Sequence, residues 1–290
     1  MIRAHSATPA FPVRGTLGVV TALSLEGAVL PRKCRWQTVA SNAGFTLRRT
    51  GLNGLELLCV RSGPGFSAAR RAAELLVSHG ARALLCLGVS GGLAPGLCAA
   101  DIVLAESVAW DGFAREGGAG PACVPLPADS QAWVRRALPA VQASALAHAP
   151  RVKVRLGRVA SLERPVLSPG GKADLWRRCQ ALAADMESAG VADAAIRAGL
   201  PLLVLRAVCD SWERGLSPEL PLLLDEQGRV RPGRLLCSLA GRPALLADLL
   251  ASQREFSGAL RSLRRAVEAL LRAGLLLPGV NPGEGCASPG

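Results

Sequence analysis

The chain has 290 residues, half of them apolar, with a formal charge of +12 and a pI near 10.3. That is enough apolar material to bury a substantial core, in one large α/β domain or two small ones. Aromatics make up only 3% and Tyr is absent, so a stacking platform for single-stranded nucleic acid is disfavoured, and the excess arginine is scattered through helical stretches rather than gathered into a tract.

Nine cysteines, Cys34, Cys59, Cys86, Cys98, Cys123, Cys179, Cys209, Cys237 and Cys286, are widely spaced. With no C-x-x-C pair and no neighbouring His they suggest neither zinc nor a disulfide framework, and they point to a reducing compartment such as the cytoplasm. His5, His79 and His148 match no triad or metal spacing. Residues 1–15 read as a loose leader rather than a signal peptide. The longest apolar stretch, Ala83 to Leu104, is broken by Gly88, Gly91, Gly92, Pro95, Gly96 and Asp101, so it divides into two strands around a loop instead of spanning a membrane.

In chain order, Thr16 to Leu23 is predicted as a buried strand with Ser24 and Glu26 at its end. Phe45 to Thr50 and Leu55 to Arg61, separated by Gly-Leu-Asn-Gly, suggest a hairpin running into Ser62-Gly63-Pro64-Gly65. A helix from about Ser67 to Ser78 stops at Gly80. Ala83 to Leu87 forms the next strand, followed by the glycine-rich Gly88-Val89-Ser90-Gly91-Gly92, and Asp101 to Ser107 is extended. Between Gly117 and Pro150 a helix around Asp129 to Leu138 is expected amid long loops. Arg155 to Ala160 is a strand, Lys172 to Leu182 and Met186 to Ala198 are helices, and Leu202 to Val208 is a strand ending at Cys209-Asp210. An amphipathic Leu- and Arg-rich segment follows from Arg234 to Gly274, with Leu260, Leu263, Val267, Leu270 and Leu271 at helical spacing. Residues 276–290 read as a disordered tail. Alternating buried strands and helices predict a three-layer α/β/α fold around a mixed sheet.

Three constellations lie at strand ends or helix starts, where an open α/β sheet collects its ligand groups. Gly88 to Gly92 lets backbone approach a ligand, although a tight turn is the ordinary meaning of such glycines. Asp185-Met186-Glu187 opens a helix, where carboxylates also simply complement the dipole. Asp210 ends a strand, where N-capping is the ordinary role.

Their joint order, with Glu26 after the first strand, resembles the nucleoside phosphorylase and nucleosidase superfamily over roughly Thr16 to Glu213. The resemblance implies one such domain over residues 16–275, cleavage of the N-glycosidic bond of a purine nucleoside, and a homo-oligomer. It implies that Asp210 is the general acid at N7 of the departing purine and that Glu187 binds the ribose 2′-hydroxyl with Met186 packed beside it. It also implies that Glu26 orients the attacking water, as in the hydrolytic branch, and that Val89, Ser90 and Gly91 line the central substrate-binding turn. No cofactor or metal is implied, and phosphate enters only as a co-substrate. The family's serine after the first glycine is replaced by Val89, with Ser90 one residue later. Cys86 stands where bacterial phosphorylases place a phosphate-binding arginine, leaving Arg61, Arg70 or Arg206 to be recruited; Glu26 tips the balance towards hydrolysis.

Ser211 to Leu220, Asp225 to Arg234 and the Arg- and Leu-rich segment to Leu271, the extension from about residue 218, look like the C-terminal extension of the hopanoid-associated phosphorylases, and Val191-Ala192 after Asp185-Met186-Glu187-Ser188 fits them too. That likeness implies adenosylhopane as substrate and a basic amphipathic segment fit to rest on an anionic membrane face, against the ordinary alternative of a helix packed on the core. The competing readings are a methylthioadenosine/S-adenosylhomocysteine nucleosidase and a non-catalytic nucleoside-binding or membrane-surface protein, the latter having no need of three acids.

Overall fold

The computed structural model describes residues 15–31, 34–42, 44–110, 122–215 and 244–278. Within them the chain builds one ten-stranded sheet. β1 (Thr16–Thr21) lies between β4 (Leu55–Arg61) and β5 (Ala83–Gly92), all parallel, and β10 (Leu202–Asp210) extends β5 in the same direction. β2 (Gln37–Asn42) and β3 (Phe45–Leu52) continue antiparallel from β4 to an edge. On the other side β6 (Ile102–Trp110) runs antiparallel to β10 and carries β7 (Ala122–Pro125), and β8 (Val154–Ser161) joins β6 to β9 (Ala183–Asp185). β9 returns antiparallel to the last residues of β5. This half of the sheet therefore closes on itself, and β9 delivers its end to the tips of β5 and β10 from the opposite direction.

Alternation along the strands separates two cores. Leu84, Cys86, Val204 and Val208 face α2 (Phe66–Ser78) and α5 (Ser188–Ala198), while Leu85, Leu87, Leu203 and Leu205 face α3 (Ala128–His148) and α6 (Ala244–Arg272). α4 (Pro169–Cys179) covers a third, smaller cluster through Leu175 and Cys179. Helices on both faces of a mixed sheet are the architecture expected from the alternating pattern. α2 and α5 cross where Gly190 meets the backbone of Phe66: a Cβ there would collide with the Phe66 carbonyl oxygen and stand 3.0 Å from the Arg70 nitrogen. Since backbone cannot swing aside, Gly190→Ala is expected to cost about 2–3 kcal/mol, read as a lower urea midpoint; an unchanged midpoint would contradict this packing.

Several elements differ from their sequence reading, each for a physical reason. The strand carrying Gly88 to Gly92 does not stop at Leu87; the glycines are themselves part of β5, paired with β10 and β9. α3 runs through Pro139 instead of ending before it, because Trp133, Val134, Ala137 and Val141 keep one buried stripe across the proline, which faces solvent. The polar β2 was invisible as a strand: it is an edge and needs no apolar face. The helix read from Met186 begins at Ser188, because Ala183–Asp185 pair as β9, and the helix read from Lys172 begins at Pro169, capped by the Ser168 hydroxyl accepting from Gly171 N at 3.1 Å. The hairpin turns at Asn53-Gly54, both left-handed, the pairing that matches strand twist.

The packed part also outruns the expected boundary at residue 275. Leu276 and Leu277 are buried, and Trp133 Nε1 donates to Leu275 O at 2.7 Å. Along α6, Ala259, Leu263, Ala266, Val267 and Leu270 are buried against β10 and α3. The apolar stripe expected to suit a membrane face is thus turned inward, and no helix among the described residues is long and apolar enough to cross a membrane. The expected leader up to Arg14, the Pro218–Arg234 stretch and the tail beyond residue 278 lie outside the described residues.

Candidate active site

The tips of β1, β4, β5 and β10 point one way, and the groups that follow them meet there. Residue Glu26 sits in α1 (Ser24–Gly27), one turn after β1, and is only 2% exposed. Its Oε2 accepts from Ala22 N and Leu23 N at 2.8 Å each, and its Oε1 accepts from Val89 N at 2.9 Å. A carboxylate offers about four acceptor directions, so one remains open. Burial pushes this carboxyl above its usual range, against the pull of the Arg206 guanidinium and the three N–H donors.

Arg206 is the hub. Fully buried on β10, it places Nη2 2.6 Å from Asp185 Oδ2 and 3.5 Å from Glu187 Oε2, and donates to Cys86 Sγ at 3.1 Å and to Ser188 Oγ at 3.2 Å. Asp185 is locked in turn by the hydroxyls of Ser161, at 2.5 Å, and Ser188. Glu187, at the N-cap of α5, gets the more distant share of the guanidinium and one N–H, from Gly65 at 3.3 Å. Its carboxyl is consequently pushed up to about 8: burial is the largest cause, Arg206 opposes it, and Asp185 and Glu26 reinforce it. Because the fold favours the protonated form, this group's contribution to stability is full below the ordinary carboxylate range and is lost as pH rises through about 8.

Gly88 makes the hub possible. A Cβ at this position would collide with Arg206 Nη1 and lie 2.6 Å from Glu26 Oε1. The guanidinium is held by Asp185, Cys86 and Ser188 and cannot retreat, so Gly88→Ala should keep the fold while lowering kcat/KM by about 10²-fold or more, as expected when a positioned group is misplaced. Near wild-type turnover in that variant would show that the tight approach is dispensable.

Asp210 forms a second cluster farther along β10. It is 3% exposed, and its Oδ2 is ion-paired to the buried Lys172 ammonium, while Oδ1 accepts from Cys209 Sγ at 3.3 Å. A register shift after Val208 sets Asp210 beside Gly91 instead of one residue beyond it; a Cβ on Gly91 would lie 3.4 Å from Asp210 Oδ1. Gly88 and Gly91 are three residues apart on one strand, so the two clusters stand about 10 Å apart along the sheet.

Of the remaining expected positions, Ser90 alternates onto the same face as Gly88 and pairs in register with Val208, and it is 4% exposed. Among the described residues its hydroxyl has no hydrogen-bond partner. Val89 turns its side chain to the opposite core and contributes its N–H to Glu26. Met186 is half-buried between the two acids Asp185 and Glu187. The three expected carboxylates therefore gather at one end of the sheet, as their order along the chain suggested.

The alignment of these groups with sequence blocks is matched at family level. Residues 16–239 match the model of the phosphorylase superfamily. The chain belongs to that superfamily. Among solved structures, its fold is similar to the 5′-methylthioadenosine/S-adenosylhomocysteine nucleosidase of Neisseria meningitidis in complex with methylthio-immucillin-A, at 19% identity and TM-score 0.67, covering 89% of this chain and 99% of that one. The corresponding nucleosidase of Colwellia psychrerythraea, in complex with adenine, gives 19% identity and TM-score 0.68 over 92% and 97% of the two chains. Futalosine hydrolase of Helicobacter pylori gives 16% identity and TM-score 0.65 over 89% and 97%.

Within this phosphorylase-superfamily chain, two groups stand out that residue order alone did not single out. Asp185 reads in sequence as one of a pair of acids, yet it is the partner that holds Arg206. Lys172 reads as an ordinary helical residue; its one distinguishing mark is that it is among only three lysines in a chain otherwise supplied with arginine.

Proposed function

We propose that the protein cleaves the N-glycosidic bond of a purine nucleoside, with water as the attacking group. The observation that carries this reading is the convergence of Glu26, Glu187 and Asp210 at one end of the sheet, each buried and each with acceptor capacity left over. Glu26, raised by burial and already holding three N–H donors, serves as the base that orients and deprotonates water through its remaining acceptor direction. A base needs a pKa near the working pH, and burial moves a carboxyl that way. The Ser90 hydroxyl, on the same face as Gly88 and without a hydrogen-bond partner among the described residues, is placed to hold that water.

Glu187 takes the ribose 2′-hydroxyl. As the bond breaks, positive charge grows on the sugar, and a carboxylate aimed at it stabilises that charge where water is excluded. Burial raises this carboxyl to about 8, so kcat/KM should climb with pH through a limb near that value, and the limb should vanish in Glu187→Gln; a pH profile identical in both proteins would remove Glu187 from this role. Asp210 donates to N7 of the departing purine, which as a bare anion leaves poorly. Met186 packs against the sugar.

Water is favoured over phosphate because the candidate arginines are engaged. Arg206 is paired with Asp185, Arg70 with Glu74 and Asp193, and Arg61 donates to Ser24 Oγ at 2.5 Å. Cys86, where a phosphate-binding arginine would stand, accepts from Arg206 instead.

For the substrate, an adenine nucleoside is supported by the similar 5′-methylthioadenosine/S-adenosylhomocysteine nucleosidases, bound to methylthio-immucillin-A or to adenine. The adenosylhopane reading rests on Val191-Ala192 and on the chain from Ser211 to Leu271, and the inward-facing stripe of α6 withdraws one of its supports. Comparing kcat/KM for adenosine, methylthioadenosine, S-adenosylhomocysteine and adenosylhopane tests the 5′ group: a preference for the hopanoid by tenfold or more (about 1.4 kcal/mol) would restore that reading, and preference for a thioether would set it aside.

A further inference from the structure

We infer that Lys172 is the positioning residue of the catalytic acid. This inference rests on the role proposed for Asp210 and adds a group from another helix to it.

Lys172 is 1% exposed, an unusual place for an ammonium. Its three hydrogens are all used: Nζ donates to Asp210 Oδ2, to Ser211 O at 2.8 Å and to Arg214 O at 3.0 Å. One cation thus joins α4 to the tip of β10 and to the turn that follows. That turn is anchored from the other side, because the Arg214 guanidinium lies 2.5 Å from Glu255 Oε2 and 3.1 Å from Ser252 Oγ, both on α6.

The consequence for Asp210 is specific. With Oδ2 tied to Lys172, the carboxyl is held in one orientation beside Gly91, and Oδ1, which accepts from the Cys209 thiol at 3.3 Å, keeps acceptor capacity for a ligand. Among the described residues, other groups also face the pair. Cys209 contributes a thiol raised by burial, Glu26 approaches Cys209 from α1, and the guanidinium of Arg214 is answered by Glu255 while only its carbonyl faces Lys172.

The test compares Lys172→Met and Lys172→Arg with the intact protein and with Asp210→Asn, measuring base release across pH and recording circular dichroism. In Lys172→Met, kcat is expected to fall by about 10²-fold with little change in KM, because the carboxyl that the ammonium orients is free to turn away from the base. In Lys172→Ala, which leaves room for it, ethylammonium in the buffer should restore part of the rate. Lys172→Arg keeps the charge but its planar fork cannot make three convergent bonds; kcat should again fall with KM little changed, which supplies the answer if the Met variant does not fold. Wild-type kcat in either folded variant would overturn the inference while leaving Asp210 as the acid. Full activity in Asp210→Asn would instead overturn the acid itself.

Discussion

Asp210→Asn should lower kcat for base release by about 10²- to 10⁴-fold, the share of rate that a positioned acid supplies, with KM changed far less. Asparagine is nearly the same shape and still accepts from Lys172, so substrate contacts survive, but the amide has no proton to deliver to N7. The substitution also leaves a buried ammonium without an anion, so the melting temperature should fall as well. Steady-state kinetics on protein shown to be folded by circular dichroism separate the two effects. Loss confined to KM would mean that Asp210 binds the base without acting on it.

The largest effect on stability is expected at Arg206. Asp185, Glu187 and Glu26 all lie within the field of this one guanidinium, and each is buried. Arg206→Met is expected to cost about 3–5 kcal/mol, the usual loss when one partner of a buried ionic cluster is removed. The deficit should depend on pH with a definite sign. Glu26 and Glu187 already hold their protons above the usual carboxylate range, and without the cation they hold them more tightly. Their contribution is then kept at low pH and lost as pH rises through the raised pKa. Urea unfolding should therefore show a larger deficit at pH 8 than at pH 5, and equal deficits would mean that Arg206 acts through packing rather than charge.

How far this could be read from sequence depended on which residues announce themselves. Strands such as Leu202 to Val208 and the helix before Gly80 were legible because burial on both faces or an amphipathic stripe leaves a pattern. The extent of α3 was not, since Pro139 is a local stop signal and only the tertiary stripe from Trp133 to Val141 outweighs it. Glu26, Glu187 and Asp210 were legible through their order along the chain. The network that makes them usable was less so. Arg206, Asp185, Ser161 and Ser188 are brought together by the reversal of β9 against β5, a three-residue strand too short to leave a period. Lys172 meets Asp210 across 38 residues, and its role depends on a register shift at the end of β10 that no local pattern records. Ser90 shows the reverse case: its displacement by one residue from the usual serine position looked like a defect, yet strand alternation carries its hydroxyl to the face where Glu26 and Arg206 stand.

The most direct test of the whole account is adenine release from 5′-methylthioadenosine by the intact protein in phosphate-free buffer, followed by chromatography of both base and sugar. The account expects free adenine and the free sugar in equal amounts, with no increase in rate when phosphate is added and a sharp loss in Glu26→Gln. Release that appears only with phosphate and yields a sugar phosphate, or the absence of release from any purine nucleoside, would contradict it.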